Sequence, residues 1–229
     1  MTEKKMIVLC MLWGSWGEPY GLEYVFRLKK MVERNTSVPF EFACITDRLM
    51  KENEHGITWI NLPEDVKRWQ RNLPKFYMHK PREEWEGRQI MFFDLDTVIV
   101  NNIDEFMNYR GRFATLNPFN PKNNDVSTPG GVMSFQQEYS KYLWESVSES
   151  PNLWAAQSQS GKERIVMSML EPKIKWDRWQ DLFPGKLVSF KKHVQKSPTY
   201  PSGASIIAFH GHPRPHQILN NKIVKKYWR

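Results

Sequence analysis

The chain contains no long hydrophobic run. Nowhere in its 229 residues are there the ~18 to 20 uninterrupted apolar residues that span a bilayer, so no membrane-spanning helix is expected. Cysteine is almost lacking. Cys10 and Cys44 are the only two, and each falls inside an apolar run where a thiol behaves as a small hydrophobe. Two such residues build no disulfide framework, which makes a reducing cytosol the expected compartment. The first apolar run ends at Gly14, too early for a signal-peptide core with its cleavage site, and is expected to be a strand. There is no internal repeat, no low-complexity tract and no recognised nucleic-acid-binding motif. Basic residues are dispersed except in the C-terminal tail. Even so, 33 Lys and Arg against 25 Asp and Glu give a formal charge of +8, which favours an anionic partner.

What is present suits one domain with a sizeable core, 40% hydrophobic and 25% charged. Ten Trp and thirteen Phe supply that core and leave aromatic surface for stacking on sugars or bases. Ile7 to Leu12, Phe40 to Thr46, Thr58 to Leu62 and Gln89 to Phe93 read as strands, the first continuously apolar and so covered on both faces. A Gly-rich turn, Gly14-Ser15-Trp16-Gly17-Glu18-Pro19, leads to a helix with Leu22, Val25, Leu28 and Val32 at helical spacing. Strands alternating with helices imply a single, mostly parallel, Rossmann-like α/β sheet flanked by helices, with ligands at the carboxyl ends of the strands. Asp47 and Asp94 stand at such ends. Further on, strands are expected at Arg112 to Leu116, Val132 to Phe135, Leu187 to Phe190 and Ser205 to Phe209. Helices are expected at Tyr139 to Glu149 and Arg164 to Leu170, and a loose loop at Ala155 to Gly161.

The chemistry concentrates in Ile90-Met91-Phe92-Phe93-Asp94-Leu95-Asp96-Thr97-Val98-Ile99, an apolar strand running into two carboxylates two residues apart. On a strand both would face one side. Where the chain turns, both can reach one hard cation, Mn²⁺ or Mg²⁺, that bridges to diphosphate oxygens. A second reading is a turn cap without chemistry. A third is the nucleophile motif of a haloacid dehalogenase-type phosphatase. That motif normally opens its domain and needs a later acidic pair, whereas Asp104, Asp125, Asp177 and Asp181 form no adjacent pair. A fourth is a non-enzymatic module that binds anions or nucleic acid.

Phe92 to Val100, followed by Ile103-Asp104-Glu105-Phe106, resembles the Asp-x-Asp segment of GT-A-fold glycosyltransferases of the glycogenin and lipopolysaccharide galactosyltransferase type. Three further segments agree in the same order: Tyr20 to Asp47, Gly130-Gly131-Val132-Met133-Ser134-Phe135, and Phe209-His210-Gly211-His212-Pro213-Arg214-Pro215-His216. The resemblance implies a metal-dependent transfer from a nucleotide-sugar, a UDP-hexose, to a glycan or lipid-linked acceptor. Asp94 and Asp96 would ligate the metal, with His210 as third ligand. In the resembling enzymes that histidine stands three residues before the glycine, where this chain has Ala208. Thr46, Asp47, Leu95, Gly211 and Arg214 would face the nucleotide, Arg214 in place of the usual lysine on the diphosphate. Gly161-Lys162-Glu163 stands where relatives carry Gly-Asp-Gln or Gly-Asp-Glu. Glu163 or Asp125 would be the general base of an inverting enzyme, and the lack of a strongly placed base leans towards retention. Residues 1–116 would form the nucleotide-binding half and 117–229 the acceptor side.

From His216 onward a helix is expected with Lys222, Lys225, Lys226 and Arg229 on one face. It would either dock on the domain or touch an anionic membrane from the cytosolic side.

Overall fold

The computed structural model describes residues 4–15, 18, 21–51, 53–119, 127–172, 175–197 and 199–229. Asp125 and most of the turn after Ser15 lie outside them. In chain order the elements are β1 Met6–Leu12, α1 Gly21–Asn35, β2 Phe40–Thr46, β3 Thr58–Asn61, α2 Glu64–Lys67, a 3₁₀ segment Leu73–His79, and β4 Gln89–Phe93. Next come β5 Val98–Ile99, α3 Asp104–Met107, β6 Phe113–Thr115, β7 Val132–Gln136, α4 Gln137–Glu149, α5 Pro151–Gln157 and α6 Glu163–Leu170. The chain ends with β8 Asp177–Arg178, α7 Trp179–Leu182, β9 Leu187–Ser189, β10 Ile206–Ala208 and α8 Lys222–Tyr227.

Seven strands form one sheet in the order β3-β2-β1-β4-β7-β6-β8. β3, β2, β1 and β4 run parallel, β7 is antiparallel to β4 and β6, and β8 is parallel to β6. The sheet is therefore mixed but mostly parallel, as the alternation of strands and helices implied. β1 shows why its run has no polar alternation. Met6, Val8, Cys10 and Leu12 pack on the side of α1, while Ile7, Leu9 and Met11 pack on the opposite side with Phe76 and Leu143. With β1 to β4 parallel, their carboxyl ends share one edge of the sheet. β7 runs the other way, so its first residues meet the end of β4, with Phe93 opposite Val132.

A second sheet, β5-β10-β9, was not expected as a separate unit. β5 pairs antiparallel with β10, and Val100 N–H donates to Ser205 O at 2.8 Å. This pairing brings the segment after β10 back to the turn that follows β4. The expected loop at Ala155 to Gly161 is also different. α5 covers its first half, and Gln159, Ser160 and Gly161 then form a left-handed turn with φ of 53°, 66° and 86°. A Cβ on Gly161 would stand 2.5 Å from Gln70 O, so only glycine fits where this turn packs on the 70–72 loop.

The C-terminal helix is shorter than expected. A 3₁₀ turn holds Pro215–Ile218, and Asn221 caps α8 by accepting from the amides of Ile223 and Val224. Ile223, Val224 and Trp228 are buried, and Arg27 lies 4.2 Å over the Trp228 ring. Lys222, Lys225, Lys226 and Arg229 are exposed. No helix among the described residues is long and apolar enough to cross a membrane.

His79 makes a first prediction. It is buried among Phe76, Phe113 and Phe135, and its Nδ1 has no hydrogen-bond partner among the described residues. Burial and then the charge of Lys75 push its pKa down from 6.5 to about 3. The unfolded chain therefore binds the extra proton first, and stability should fall as pH drops from 6.5 towards 3. His79→Phe should flatten that part of a denaturation-midpoint profile against pH. An unchanged profile would show that other groups control acid unfolding.

Candidate active site

β4 delivers the two carboxylates at its end. Asp94 N–H donates to Gly131 O at 2.7 Å, and Thr97 N–H donates to Asp94 O at 3.0 Å, closing a turn over Leu95 and Asp96. Leu95 is buried. The two aspartates differ: the Asp94 side chain is 40% exposed and Asp96 only 9%. Burial, then the like charge of Asp94, push the Asp96 pKa up to about 7 against the pull of Arg214 and Lys75.

Beneath the pair lies a cation that the sequence reading missed. Lys75 comes from the 3₁₀ segment, every residue of which is buried. Its Nζ is 2.7 Å from Asp94 Oδ1 and 3.0 Å from Glu163 Oε1, donates to Gly130 O at 2.9 Å, and lies 4.8 Å from the Phe92 ring centre. Burial opposes its charge, but the two carboxylates outweigh burial and hold the ammonium above the ordinary lysine range. Glu163, at the start of α6, is raised by burial and by Asp94, against the pull of Lys75. The glycine pair makes room for this cluster. A Cβ on Gly130 would stand 2.2 Å from Glu163 Oε1, and one on Gly131 3.1 Å from Asp94 Oδ2.

A cleft of ≈ 560 Å³ opens over the cluster, with Asp94, Asp96, Gly131, Glu163, His210 and Gly211 among its lining residues. A smaller recess on the side of Met11, Trp13 and Leu95 shares Asn72, Asp94, Asp96 and Glu163 with the cleft and is also lined by Lys75. The structure thus brings Asp94, Asp96, Glu163, His210 and Gly211 to one cleft and places Leu95 beside it. Arg214 acts electrostatically on Asp96 from the turn after Gly211, and Lys191 Nζ lies beside Gly211. Thr46 and Asp47 sit apart at the end of β2. Asp47 Oδ2 accepts from Gly14 N–H at 3.0 Å and lies 3.3 Å from Lys67, which pins the turn after β1.

Asp94 and Asp96, two residues apart at the end of β4, are candidate oxygen ligands for a hard cation. Two carboxylates, one with its pKa raised by burial and then by its neighbour, would be stabilised by a shared positive charge. One or two protein carboxylates completed by substrate phosphates are what Mg²⁺ commonly takes. Among the described residues, no group of three His, Cys, Asp or Glu is arranged to hold a metal. His210 Nε2 lies 2.7 Å from Ser189 Oγ, its ring stacks on Phe119 at 5.8 Å, and Ala208 at the end of β10 offers no ligand.

Solved structures of glycosyltransferases share this architecture. A complex of the galactosyltransferase LgtC with donor and acceptor sugar analogs superposes with a TM-score of 0.67 at 11% identity, over 96% of this chain and 93% of that one. A structure of an LgtC active-site mutant gives 0.67 at 11% identity, over 92% and 89%. The glycosyltransferase GlyE of Streptococcus pneumoniae TIGR4 gives 0.60 at 11% identity, over 93% of this chain and 56% of that one. No protein-family model and no curated protein sequence matches the chain. The fold is the GT-A type that these enzymes share.

Proposed function

We propose that the protein is a metal-dependent glycosyltransferase that moves a sugar from a nucleotide-sugar, a UDP-hexose, to a hydroxyl of a glycan or lipid-linked acceptor. The observation that carries this reading is the Asp94–Asp96 pair at the end of β4, lining the main cleft of a GT-A fold. Asp94 and Asp96 would hold Mn²⁺ or Mg²⁺ together with the diphosphate, and the cation supplies Lewis-acid neutralisation of charge on the leaving group. The chain's own groups do the rest. Arg214 from the late turn and Lys191 from the helical segment Phe190–Val194 after β9 would face the diphosphate, and Lys75 fixes the Asp94 carboxylate and counters its charge. The acceptor oxygen bonds to the anomeric carbon, and the bond from that carbon to the diphosphate oxygen breaks with its electron pair on the diphosphate. The acceptor proton passes to a carboxylate. Glu163, which lines the cleft, would take it, and its raised proton affinity suits a base.

In this reading residues 1–116 hold the nucleotide and 117–229 form the acceptor side, with the late turn reaching back to the diphosphate. The exposed basic residues of the C-terminal end offer a strip for an anionic membrane that carries a lipid-linked acceptor. Two observations favour this reading over the phosphatase. β4 is not the first strand, and the later acids are engaged elsewhere, Asp104 with Thr36 and Ser37 and Asp177 with Tyr109.

A nucleotide-sugar panel with Mn²⁺, scored by thermal shift and by hydrolysis, tests the proposal. One UDP-sugar should stand out, and its effect should vanish with EDTA. Arg214→Ala gives a second prediction. A charge-assisted bond to phosphate contributes ~1.5–3 kcal/mol, so UDP affinity should fall by about tenfold to a hundredfold while uridine affinity holds. Equal losses for both would make Arg214 a structural residue.

A further inference from the structure

The histidines decide what kind of ligand the protein can offer a cation. The chain has six of them and two cysteines, and every one lies among the described residues. None joins Asp94 and Asp96 in a group arranged to hold a metal. His210 shares their cleft, but its imidazole is engaged elsewhere. β9 and β10 run parallel with Ala208 opposite Ser189, and His210, two residues on, reaches back so that Nε2 lies 2.7 Å from Ser189 Oγ. Ser189 is buried, its Oγ also accepts from Lys192 N–H at 3.2 Å, and Phe119 stacks on the imidazole. Whichever tautomer holds, Nε2 is spent within the fold. His212 Nδ1 lies 2.9 Å from Gln217 Oε1, and His216 Nδ1 2.7 Å from the Tyr24 hydroxyl. His193 Nδ1 accepts from Ser189 N–H at 3.0 Å, while His55 and His79 pack against Phe26 and Phe135. Cys10 and Cys44 are buried in β1 and β2.

We propose that the cation of this site is held by oxygen alone, from Asp94, Asp96 and the donor diphosphate, with no imidazole among its ligands. This rests on the metal-dependent transferase reading above, and it departs from the third ligand that the resemblance implied. Imidazole suits zinc, copper, iron and nickel, whereas carboxylate and water oxygens suit Mg²⁺ and Mn²⁺. Lys75 adds a second consequence. Its ammonium, 2.7 Å from Asp94 Oδ1, already shares that carboxylate, so a bare cation meets a like charge as well as an incomplete set of ligands. The diphosphate supplies both the missing oxygens and the missing negative charge. Cation and nucleotide therefore bind together, and each binds weakly without the other.

Mn²⁺ is the probe, because its electron spin reports the nuclei bound to it. Protein labelled with ¹⁵N-histidine is titrated with Mn²⁺ in the presence and absence of UDP, and the bound ion is read by electron–nuclear double resonance. UDP should tighten Mn²⁺ binding by roughly tenfold to a hundredfold, and Mn²⁺ should tighten UDP binding by the same factor. The bound ion should show phosphorus coupling from UDP and no coupling from a directly bound histidine nitrogen. D94N/D96N should lose the bound ion. H210A should change Mn²⁺ affinity by less than about threefold, since losing even a supporting partner of a true ligand costs ~10–100-fold. If H210A folds poorly, the labelled wild type still decides. A directly bound histidine nitrogen, or a loss of about tenfold or more in H210A, overturns the inference and leaves the transferase reading standing. Mn²⁺ binding that is absent, indifferent to UDP or undiminished in D94N/D96N overturns both.

Discussion

Asp96→Asn is expected to lower sugar transfer by about a thousandfold or more and, in the metal-free protein at pH 8, to raise the melting temperature. Both effects come from one buried carboxylate. A metal that neutralises leaving-group charge contributes several kcal/mol to the transition state, and each ~1.4 kcal/mol is a factor of ten in rate. Asn keeps the shape of the side chain but removes half of the proposed anionic ligand pair. The stability effect has the opposite sign. In the folded protein Asp96 has a pKa of about 7, against 3.8 for an ordinary aspartate. Between those values the folded state binds more protons than the unfolded state, so this group's contribution is lost as pH rises, and above 7 the full penalty is present. Asn carries no such penalty. Wild-type protein in EDTA should therefore melt progressively earlier from pH 5 to pH 8, and the variant less so. Mn²⁺ with UDP should raise the wild-type melting temperature by linkage and leave the variant nearly unmoved. Transfer assays and melts at four pH values check both halves. Nucleotide binding by the wild type that is indifferent to EDTA would sink this account.

The parts of the fold that were legible in sequence are those where burial leaves a long signature. β1, β2 and β4 lie inside a sheet covered on both faces, so their apolar runs could hardly be anything else, and Asp94 stood out because it ends such a run. The second sheet left no such trace. Its strands are two or three residues long, too short for any periodicity, and they exist because β5 and β10 meet across a hundred residues of chain. Asp47 shows the limit of reading by position. It ends a parallel strand as a ligand-binding residue would, yet its carboxylate is held by Gly14 and Lys67. Lys75 was missed for the converse reason, because no motif contains it. The available signal was energetic: a lysine within Leu73-Pro74-Lys75-Phe76-Tyr77-Met78-His79 sits among residues that want burial, and a buried ammonium requires carboxylates. Reading that run as a demand for partners would have pointed to Asp94 and Glu163.

Lys75→Met tests that demand directly and should be the most destabilising single change at the site. Methionine nearly matches the aliphatic volume, so packing on Phe92 is retained and the lost quantity is the charge. Glu163, 12% exposed, would then share a buried space with Asp94 and no cation between them. Removing one partner of a buried ion pair costs about 3–5 kcal/mol. For a chain of this size each kcal/mol moves the melting temperature by roughly 2–4 °C, so a drop of about 10 °C is expected. Glu163 is already raised in proton affinity, and without Lys75 it would rise further, so the loss should shrink as pH falls and Glu163 becomes neutral. Adding Glu163→Gln to Lys75→Met should restore part of the stability, whereas two independent sites would simply add their losses. Transfer should fall in both variants, because the Asp94 carboxylate loses the contact at 2.7 Å that fixes it. A cycle of the two single variants and the double, melted at pH 6 and pH 8 with EDTA, separates the cases. If Lys75→Met is as stable as wild type at pH 8, the ammonium is not the counter-charge of this site, and the cluster beneath Asp94 must be neutral by protonation instead.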